Sequence, residues 1–179
     1  LMGIVEKHSF ELSGTRFHLV FTGKTETDIE RISKDLLPLC QHHIDLFGRL
    51  PEQDYWLLTL LCDDGFGGLE HRASTALMFP RFHLPMRNEA ELLSEQYQRF
   101  LSLCSHELFH AWNVKRIKPE IMISPKLESE QYMEQLWIYE GFTSLYDDLS
   151  LARTKLISGQ RYTEILGETL TRLIQTQGR

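Results

Sequence analysis

The amino-acid sequence predicts an α+β domain in which N-terminal strands form a small sheet and a helical bundle follows. Two observations predict this class. Short apolar or alternating runs, typical of strands, are concentrated in the first 80 residues, whereas apolar residues at helical spacing dominate from residue 94 onward. The chain has 179 residues, of which 42% are hydrophobic and 25% charged, as expected for one globular domain with a single core.

The first strands and the first helix are predicted within residues 4–48. Residues 4–21 contain short alternating runs separated by Gly14, which is typical of a β-hairpin. Apolar residues at helical spacing then follow Thr25 and stop at Gly48. We therefore expect one helix between these two residues, with Pro38 as a potential kink.

Two further strands are predicted before residue 81. Residues 55–62 form a continuous apolar run after Pro51, which predicts a buried strand. Residues 63–68 are rich in Asp and Gly and predict a turn. Residues 73–79 predict another strand, which Pro80 ends.

Three helices are predicted in the second half of the chain. They cover residues 94–115, residues from about 130 to the region of Leu149, and residues 162–175, with a loop containing Pro119 and Pro125 after the first. Six side chains of the first helix are core candidates because they share one face: Tyr97, Phe100, Leu101, Cys104, Leu108 and Trp112.

The charge pattern argues against several classes of function. The net charge is −6 and no basic stripe is visible, so we expect no nucleic-acid partner; we interpret the basic residues 115–118 as the polar end of a helix. No apolar run approaches the roughly 18 residues of a membrane span. The spacing of the three cysteines, Cys40, Cys62 and Cys104, matches no metal-binding or redox motif, so we expect these side chains to be buried as small apolar residues. Nothing in the sequence requires an oxidising compartment.

The motif His106-Glu107-Leu108-Phe109-His110 predicts a metal site. Residues four apart lie on one face of a helix, so His106 and His110 can bind one cation from the same side. Imidazole nitrogen is a preferred ligand of zinc. Glu107 projects beside the ion instead of onto it, where it can accept a proton from the attacking water.

Glu140 is the predicted third ligand, because catalytic zinc usually has three protein ligands and one open position. It is an acid in an otherwise apolar stretch of a predicted helix, where a bare carboxylate would be costly to bury unless a cation neutralises it. Gly141 would leave room for close approach of a backbone. A solvent-exposed position for Glu140 is the alternative. The apolar neighbours are Trp137, Ile138, Tyr139 and Phe142.

Carboxylates or hydroxyls are also expected to hold the outer nitrogens of the two imidazoles. Ser144, Asp147 and Asp148 lie one to two turns beyond Glu140. Asp147 is our preferred partner and Ser144 a second candidate, whereas Asp148 fits an acidic helix surface equally well.

Three blocks of the sequence together resemble a known family. They are Phe-Gly-Gly-Leu-Glu-His at 66–71, His-Glu-Leu-Phe-His-Ala-Trp-Asn-Val-Lys-Arg-Ile-Lys-Pro at 106–119, and Trp-Ile-Tyr-Glu-Gly-Phe-Thr-Ser at 137–144. In this order and spacing they are similar to the glycyl aminopeptidase family of gluzincin zinc metallopeptidases. The joint match is far more specific than the His-Glu-x-x-His core alone.

The resemblance implies a thermolysin-like catalytic domain. It implies one Zn²⁺ ion per chain bound by His106, His110 and Glu140, with Glu107 as general base. In such proteins this domain usually follows a β-rich domain and precedes further helices and often a PDZ domain. We therefore expect residues 1–179 to be a single catalytic domain that is part of a longer chain.

The segment from Gly67 to His71 is similar in position to the Gly-Ala-Met-Glu-Asn segment of the broader gluzincin aminopeptidases. By that resemblance, Gly67 and Gly68 would lie at an edge that pairs with the substrate backbone, and Glu70 would bind the free α-amine. A turn glutamate exposed to water is the alternative for Glu70. His71 departs from the broader pattern and could contact substrate or be structural.

The expected activity is removal of N-terminal Gly or Ala from peptide substrates with a free N-terminus. An endopeptidase on the same scaffold and a non-catalytic, zinc-stabilised peptide-binding module are the alternatives. A donor for the oxyanion is also needed. Tyr146 is a candidate that can instead pack in its helix, and Tyr162 is the other tyrosine downstream of Glu140. Because this donor is not identified, we expect the isolated chain to bind zinc but to turn over slowly or not at all. The sequence leaves the oligomeric state open.

Overall fold

The fold was analysed in a computed structural model, which describes residues 3–23, 25–89, 92–124 and 128–176. The predicted α+β class is confirmed: a mixed sheet is covered by helices. The elements are β1 (Val5–Leu12), β2 (Thr15–Thr22), α1 (Ile29–Phe47), β3 (Asp54–Cys62), β4 (Gly67–Glu70), β5 (Ser74–Pro80), α2 (Glu95–Phe109), a π-helical turn (Trp137–Gly141), α3 (Phe142–Arg153) and α4 (Gly159–Gln175). None of the helices in these ranges is long and apolar enough to cross a membrane.

The sheet has the strand order β1-β2-β3-β5-β4. The pairs β1/β2 and β4/β5 are antiparallel, whereas β2/β3 and β3/β5 are parallel. The predicted hairpin is β1/β2, and Ser13 and Gly14 at its turn both have positive φ, 51° and 84°, as a two-residue type I′ turn requires.

Strand β4 lies at the edge of this sheet and corrects one prediction. Residues 63–68 were expected to form a turn, but Gly67 and Gly68 pair with Met78 and Leu77 of β5. Two glycines in succession are typical of turns, and the antiparallel partner that extends them lies about ten residues away in sequence. The edge strand is thus fixed by pairing and not by local propensity.

Strand β3 is buried on one face only, whereas its continuous apolar sequence predicted a buried strand. Tyr55, Leu57 and Leu61 are buried, while Leu60 is 46% exposed. The buried face packs in the core with helices α1 and α2, and the described residues place no helix against the opposite face. The core therefore lies between one face of the sheet and the helices.

Helix α1 begins four residues later than Thr25. The Asp28 side chain accepts a hydrogen bond from the backbone N–H of Arg31 and thereby caps the helix. Gly48 ends the helix as predicted, and its φ of 87° suits glycine. Pro38 lies inside the helix.

The predicted core face of α2 is confirmed. All six of its core candidates are buried: Tyr97, Phe100, Leu101, Cys104, Leu108 and Trp112. Cys40 is also buried, whereas Cys62 is only half-buried, and all three cysteines are free.

Two helix boundaries near the candidate metal ligands differ from prediction. Helix α2 ends at Phe109, six residues before the predicted end, and the chain then turns so that the Lys115 N–H donates to the His110 carbonyl at 3.1 Å. Residues 115–118 are therefore not a helix end. After a 3-10 turn at Glu120–Met122, the helix predicted from about residue 130 begins only at Trp137. Pro125 of the predicted loop lies outside the described residues.

Candidate metal centre

The His-Glu-x-x-His motif lies at the C-terminal end of α2, although mid-helix was expected. His106 is in the last turn of α2, and His110 is the capping residue, with φ −62° and ψ −19°. Since that conformation is still helical, the two imidazoles share one face. Helix α2 packs against α3 and against β4 and β5, so the motif lies between the sheet edge and the segment carrying Glu140.

Three potential ligand atoms converge at this position. The Nε2 atoms of His106 and His110 are 3.1 Å apart, and Oε2 of Glu140 lies 3.6 Å and 3.7 Å from them. Two ligands at about 2.0–2.1 Å from a tetrahedral ion are themselves about 3.3–3.4 Å apart. The three atoms therefore lie close to the spacing that a single zinc ion requires.

The outer nitrogens of both imidazoles are already engaged. His110 Nδ1 lies 3.0 Å from the backbone carbonyl of Asn113 and donates to it, since a carbonyl can only accept. His106 Nδ1 lies 3.2 Å from Oδ2 of Asp147 and donates to this carboxylate. When both imidazoles are neutral, as metal binding requires, both Nε2 atoms present lone pairs to each other and to Glu140. Three converging acceptors repel one another unless a cation lies between them, so this donor set fits a metal ion.

The electrostatics of the site also favour a positive charge. Burial lowers the pKa of His106, but hydrogen bonds to Asp147 and Glu140 outweigh this effect and raise it to about 10. Burial lowers the pKa of His110, and the contact with His106 lowers the pKa of Glu140. A neutral His110 and an ionised Glu140 are the forms that bind a metal.

Glu140 itself is more exposed than its apolar sequence context suggested. Its side chain is 52% exposed, because Trp137 and Phe142 beside it are themselves exposed and do not form a core. The expected cost of burying a bare carboxylate therefore does not apply. A Cβ on Gly141 would meet no atom within 4 Å, so the close approach expected there is also absent.

Of the candidate outer partners, the structure brings one to the imidazoles. Asp147 contacts His106 as described, whereas Ser144 is exposed and makes no hydrogen bond to either imidazole within the described ranges. Burial raises the pKa of Asp148, whose carboxyl interacts with Ser102 and Arg161 on another side of α3.

Asn113 has a role that the sequence analysis missed. Its carbonyl holds His110, and its side-chain amide donates to the Tyr139 carbonyl at 3.3 Å and to Thr143 Oγ1 at 3.4 Å. Thr143 Oγ1 in turn donates to the Tyr139 carbonyl. One residue therefore joins the turn after α2 to the π-helical turn that carries Glu140. The only available signal was its position three residues after His110.

Tyr146, the candidate oxyanion donor, packs against the core helix. Its ring centroid lies 5.2 Å from that of Phe109, and the guanidinium of Arg153 lies 5.5 Å from its centre. Tyr162 packs against the edge of the core. The donor remains unidentified.

Glu107 is buried beside the ligands, and one of its two carboxylate oxygens lacks a partner. Its side chain is 4% exposed, and within the described residues Oε2 has no hydrogen-bond partner. Burial raises its pKa from 4.5 to about 7. A buried acceptor without a donor, next to three converging ligand atoms, fits a group that meets a water molecule in the working site.

This burial predicts a pH-dependent stability for the metal-free protein. A folded-state pKa of about 7, above the unfolded value near 4.5, means that protonated Glu107 contributes stability fully below about pH 4.5 and loses it as pH rises through about 7. Replacing Glu107 by glutamine should remove this loss and stabilise the metal-free protein at pH 8 by roughly 1–3 kcal/mol. Thermal unfolding of both proteins after chelation, at pH 5 and pH 8, measures it. Equal unfolding midpoints of the wild type and the Glu107→Gln variant at pH 8 would contradict a destabilising buried charge at Glu107.

Gly68 allows Glu107 to occupy this position. A Cβ at residue 68 would lie 2.6 Å from Glu107 Cγ and closer still to the carboxylate. Real Cβ atoms do not approach other atoms this closely. The absence of a side chain at Gly68 is therefore what lets the carboxylate lie against strand β4.

Replacing Gly68 by alanine should consequently displace the Glu107 carboxylate. We expect kcat to fall by about 100-fold, because a misplacement of about 1 Å has this effect on catalytic groups. Metal content should not change, since Glu107 is not a ligand. The control is Gly167→Ala in helix α4, where a Cβ also meets nothing within 4 Å. Similar kcat values for the two variants would show that Glu107 needs no such contact.

Glu70 lies at the end of β4 and is already paired. Its Oε1 is 2.9 Å from Nζ of Lys115, a partner that the sequence analysis did not identify. Burial raises the pKa of Glu70, but the bond from Lys115 outweighs this effect and the pKa is lowered. Glu70 is therefore ionised at neutral pH. His71, next to it, is exposed.

Comparison with known proteins places this geometry in context. Residues 99–179 match the family model of the M61 glycyl aminopeptidases. The chain is 44% identical to an aminopeptidase N family protein from Idiomarina loihiensis, over 95% of this chain and 29% of that one, with a TM-score of 0.91. No curated protein matches the chain.

A more distant likeness concerns the fold alone. A mutant M1 zinc metallopeptidase from Deinococcus radiodurans is 17% identical over 99% of this chain and 34% of that one, with a TM-score of 0.54. The chain thus spans about a third of the length of each of these two solved structures.

Proposed function

We propose that this chain carries the zinc-binding catalytic site of an aminopeptidase with a thermolysin-like arrangement. The match of residues 99–179 to the family model of the M61 glycyl aminopeptidases supports this proposal. The observation that carries the proposal is the convergence of His106, His110 and Glu140 within 4.8 Å, next to the unpartnered carboxylate oxygen of Glu107. A stabilising zinc site without catalysis would not require that buried acceptor.

Each residue has a distinct task in the proposed reaction. His106, His110 and Glu140 would hold the ion, with Asp147 and the Asn113 carbonyl fixing the imidazole rings. When bound, zinc would polarise the scissile carbonyl and make water a better nucleophile. Glu107 accepts the proton of the attacking water on its carboxylate and then passes it to the leaving amine. Proton transfer in both directions through one carboxylate is general acid–base catalysis.

Strand β4 provides the proposed substrate-binding edge. It pairs with β5 on one side only, and within the described residues no strand pairs with its other side. A peptide can therefore add to the sheet along Gly67 and Gly68. Glu70, at the end of this strand, would receive the α-ammonium group and so limit cleavage to the first residue. Small N-terminal residues, Gly or Ala, are the proposed substrates.

The role of Glu70 is tested by replacing it with glutamine. The variant should lower kcat/KM for glycyl and alanyl anilides by about 10- to 100-fold, because a hydrogen bond between charged groups is worth about 1.5–3 kcal/mol. A suitable control is Glu52→Gln, since Glu52 is also paired with a cation of the 115–118 run, Arg116, and is equally exposed.

The same assay separates the aminopeptidase from its rival. Efficient cleavage of N-acetylated peptides, together with unchanged kcat/KM in the Glu70→Gln variant, would favour an endopeptidase on this scaffold. The assay needs the intact protein, because the chain spans 29% of the length of its 44%-identical relative.

A further inference from the structure

Lys115 holds the carboxylate that the proposed function assigns to the substrate. Its Nζ lies 2.9 Å from Oε1 of Glu70, and each of these side chains is 25% exposed. A primary ammonium group on a carboxylate is also the contact that a peptide's N-terminus would make there. In the absence of substrate, the proposed amine-binding group is therefore already occupied by an ammonium group of the protein.

The backbone of Lys115 is fixed, but its ammonium group can leave. The Lys115 N–H donates to the carbonyl of His110 at 3.1 Å, in the same turn whose Asn113 carbonyl holds the His110 imidazole. The lysine side chain is a flexible four-carbon stem with a strongly hydrated end. Because it is partly exposed, it can swing into solvent without moving the turn that orients His110.

Two ammonium groups compete for Glu70 when a peptide arrives. Like charges at contact distance repel each other. A free N-terminus replaces one charge-assisted bond by an equivalent one, whereas a blocked N-terminus has no cation to offer and leaves Lys115 in place. The competition therefore lowers the affinity for ligands with a free amine, whereas blocked ligands, which do not displace Lys115, are not affected.

We propose that Lys115 occupies Glu70 in the resting site and must be displaced by the α-ammonium group of the substrate, so that it lowers the affinity of this position for free amines. The inference rests on the proposed function, specifically on Glu70 as the amine-binding group. It assigns a task to a basic side chain that lies outside the metal ligands and the general base.

The test is the Lys115→Met variant, which keeps the length of the side chain and removes its charge. Calorimetry of the intact protein should show about three- to tenfold tighter binding of glycinamide, the range expected when a partly exposed ion pair no longer competes. The KM for glycyl anilide should fall by a similar factor, while kcat stays within about twofold of the wild-type value. The affinity for N-acetylglycinamide should not change. Lys118→Met removes the same charge from the same basic run and should leave both values unchanged.

A second variant keeps the proposal falsifiable if Lys115→Met loses stability or metal. Lys115→Arg retains the charge and holds a carboxylate with a planar fork, so it should weaken glycinamide binding. Unchanged or weaker binding in Lys115→Met, or unchanged or tighter binding in Lys115→Arg, would overturn the inference. The Glu70→Gln variant distinguishes failure of the proposed role of Glu70 from failure of the inference about Lys115. If it leaves glycinamide binding unchanged, the proposed role of Glu70 fails. If it weakens binding while Lys115→Met does not strengthen it, only the inference about Lys115 fails.

Discussion

Replacing Glu107 by glutamine should lower kcat by about 10²–10⁴-fold, the range for loss of a general base. Glutamine keeps the volume of the side chain but cannot accept the proton. The carboxylate is buried beside the ligand atoms, and its Oε2 has no partner within the described residues, so this oxygen can accept the proton of the attacking water. Hydrolysis of glycyl anilide by the intact protein measures the loss.

The metal content of the same variant separates catalysis from folding. It should stay at the wild-type level, because the three convergent ligand atoms belong to other residues. Glu95→Gln, an exposed acid in the first turn of the same helix, is the control and should retain full activity. A Glu107→Gln protein with more than about a tenth of the wild-type kcat would mean that another group is the base.

Replacing Glu140 by alanine should lower the affinity for zinc by more than about 100-fold. The reason is that a ligand would be lost, whereas loss of a residue that only orients a ligand typically lowers metal affinity about 10- to 100-fold. The Asp147→Asn variant should therefore lose only about 10- to 100-fold in zinc affinity, since Asp147 contacts the outer nitrogen of His106. Competition with a chromophoric chelator at fixed pH measures all three affinities.

Glu134→Ala is the matched control for Glu140, because it removes an exposed acid just before the same π-helical turn. It should bind zinc like the wild type. Equal affinities for Glu140→Ala and Glu134→Ala would show that α2 and the turn carrying Glu140 do not share an ion.

The sequence predicted those parts of the site that depend on local spacing. His106 and His110 are four residues apart, and this spacing places both imidazoles on one helix face, where their Nε2 atoms lie 3.1 Å apart. Asp147 was found for the same reason, since it lies about two turns beyond Glu140. The core face of α2 also follows directly from helical periodicity.

The parts that depend on long-range pairing could not be predicted. Gly68 and Glu107 meet because an edge strand and a helix pack together, and nothing in either segment signals the other. The Lys115–Glu70 pair arises because α2 ends at Phe109 and the following turn directs the lysine toward β4. A helix continuing to residue 115, as predicted, would place that side chain elsewhere.

Glu140 was selected in the sequence by an argument that the structure does not support. A buried acid was inferred from its apolar neighbours, yet Trp137 and Phe142 are exposed and so is Glu140. Apolar side chains that are neighbours in sequence can be exposed in the fold, so burial cannot be inferred from composition alone. The position of Glu140 opposite both imidazoles carries the assignment instead.

The central claim is that one zinc ion is held by two imidazoles of α2 and one carboxylate of the π-helical turn. Crystals of the zinc-loaded intact protein, measured above and below the zinc absorption edge, test it most directly. We predict one anomalous peak about 2.0–2.2 Å from His106 Nε2, His110 Nε2 and Glu140 Oε2, with a fourth position free of protein ligands. A peak elsewhere, or one that Glu140 does not reach, would contradict the account.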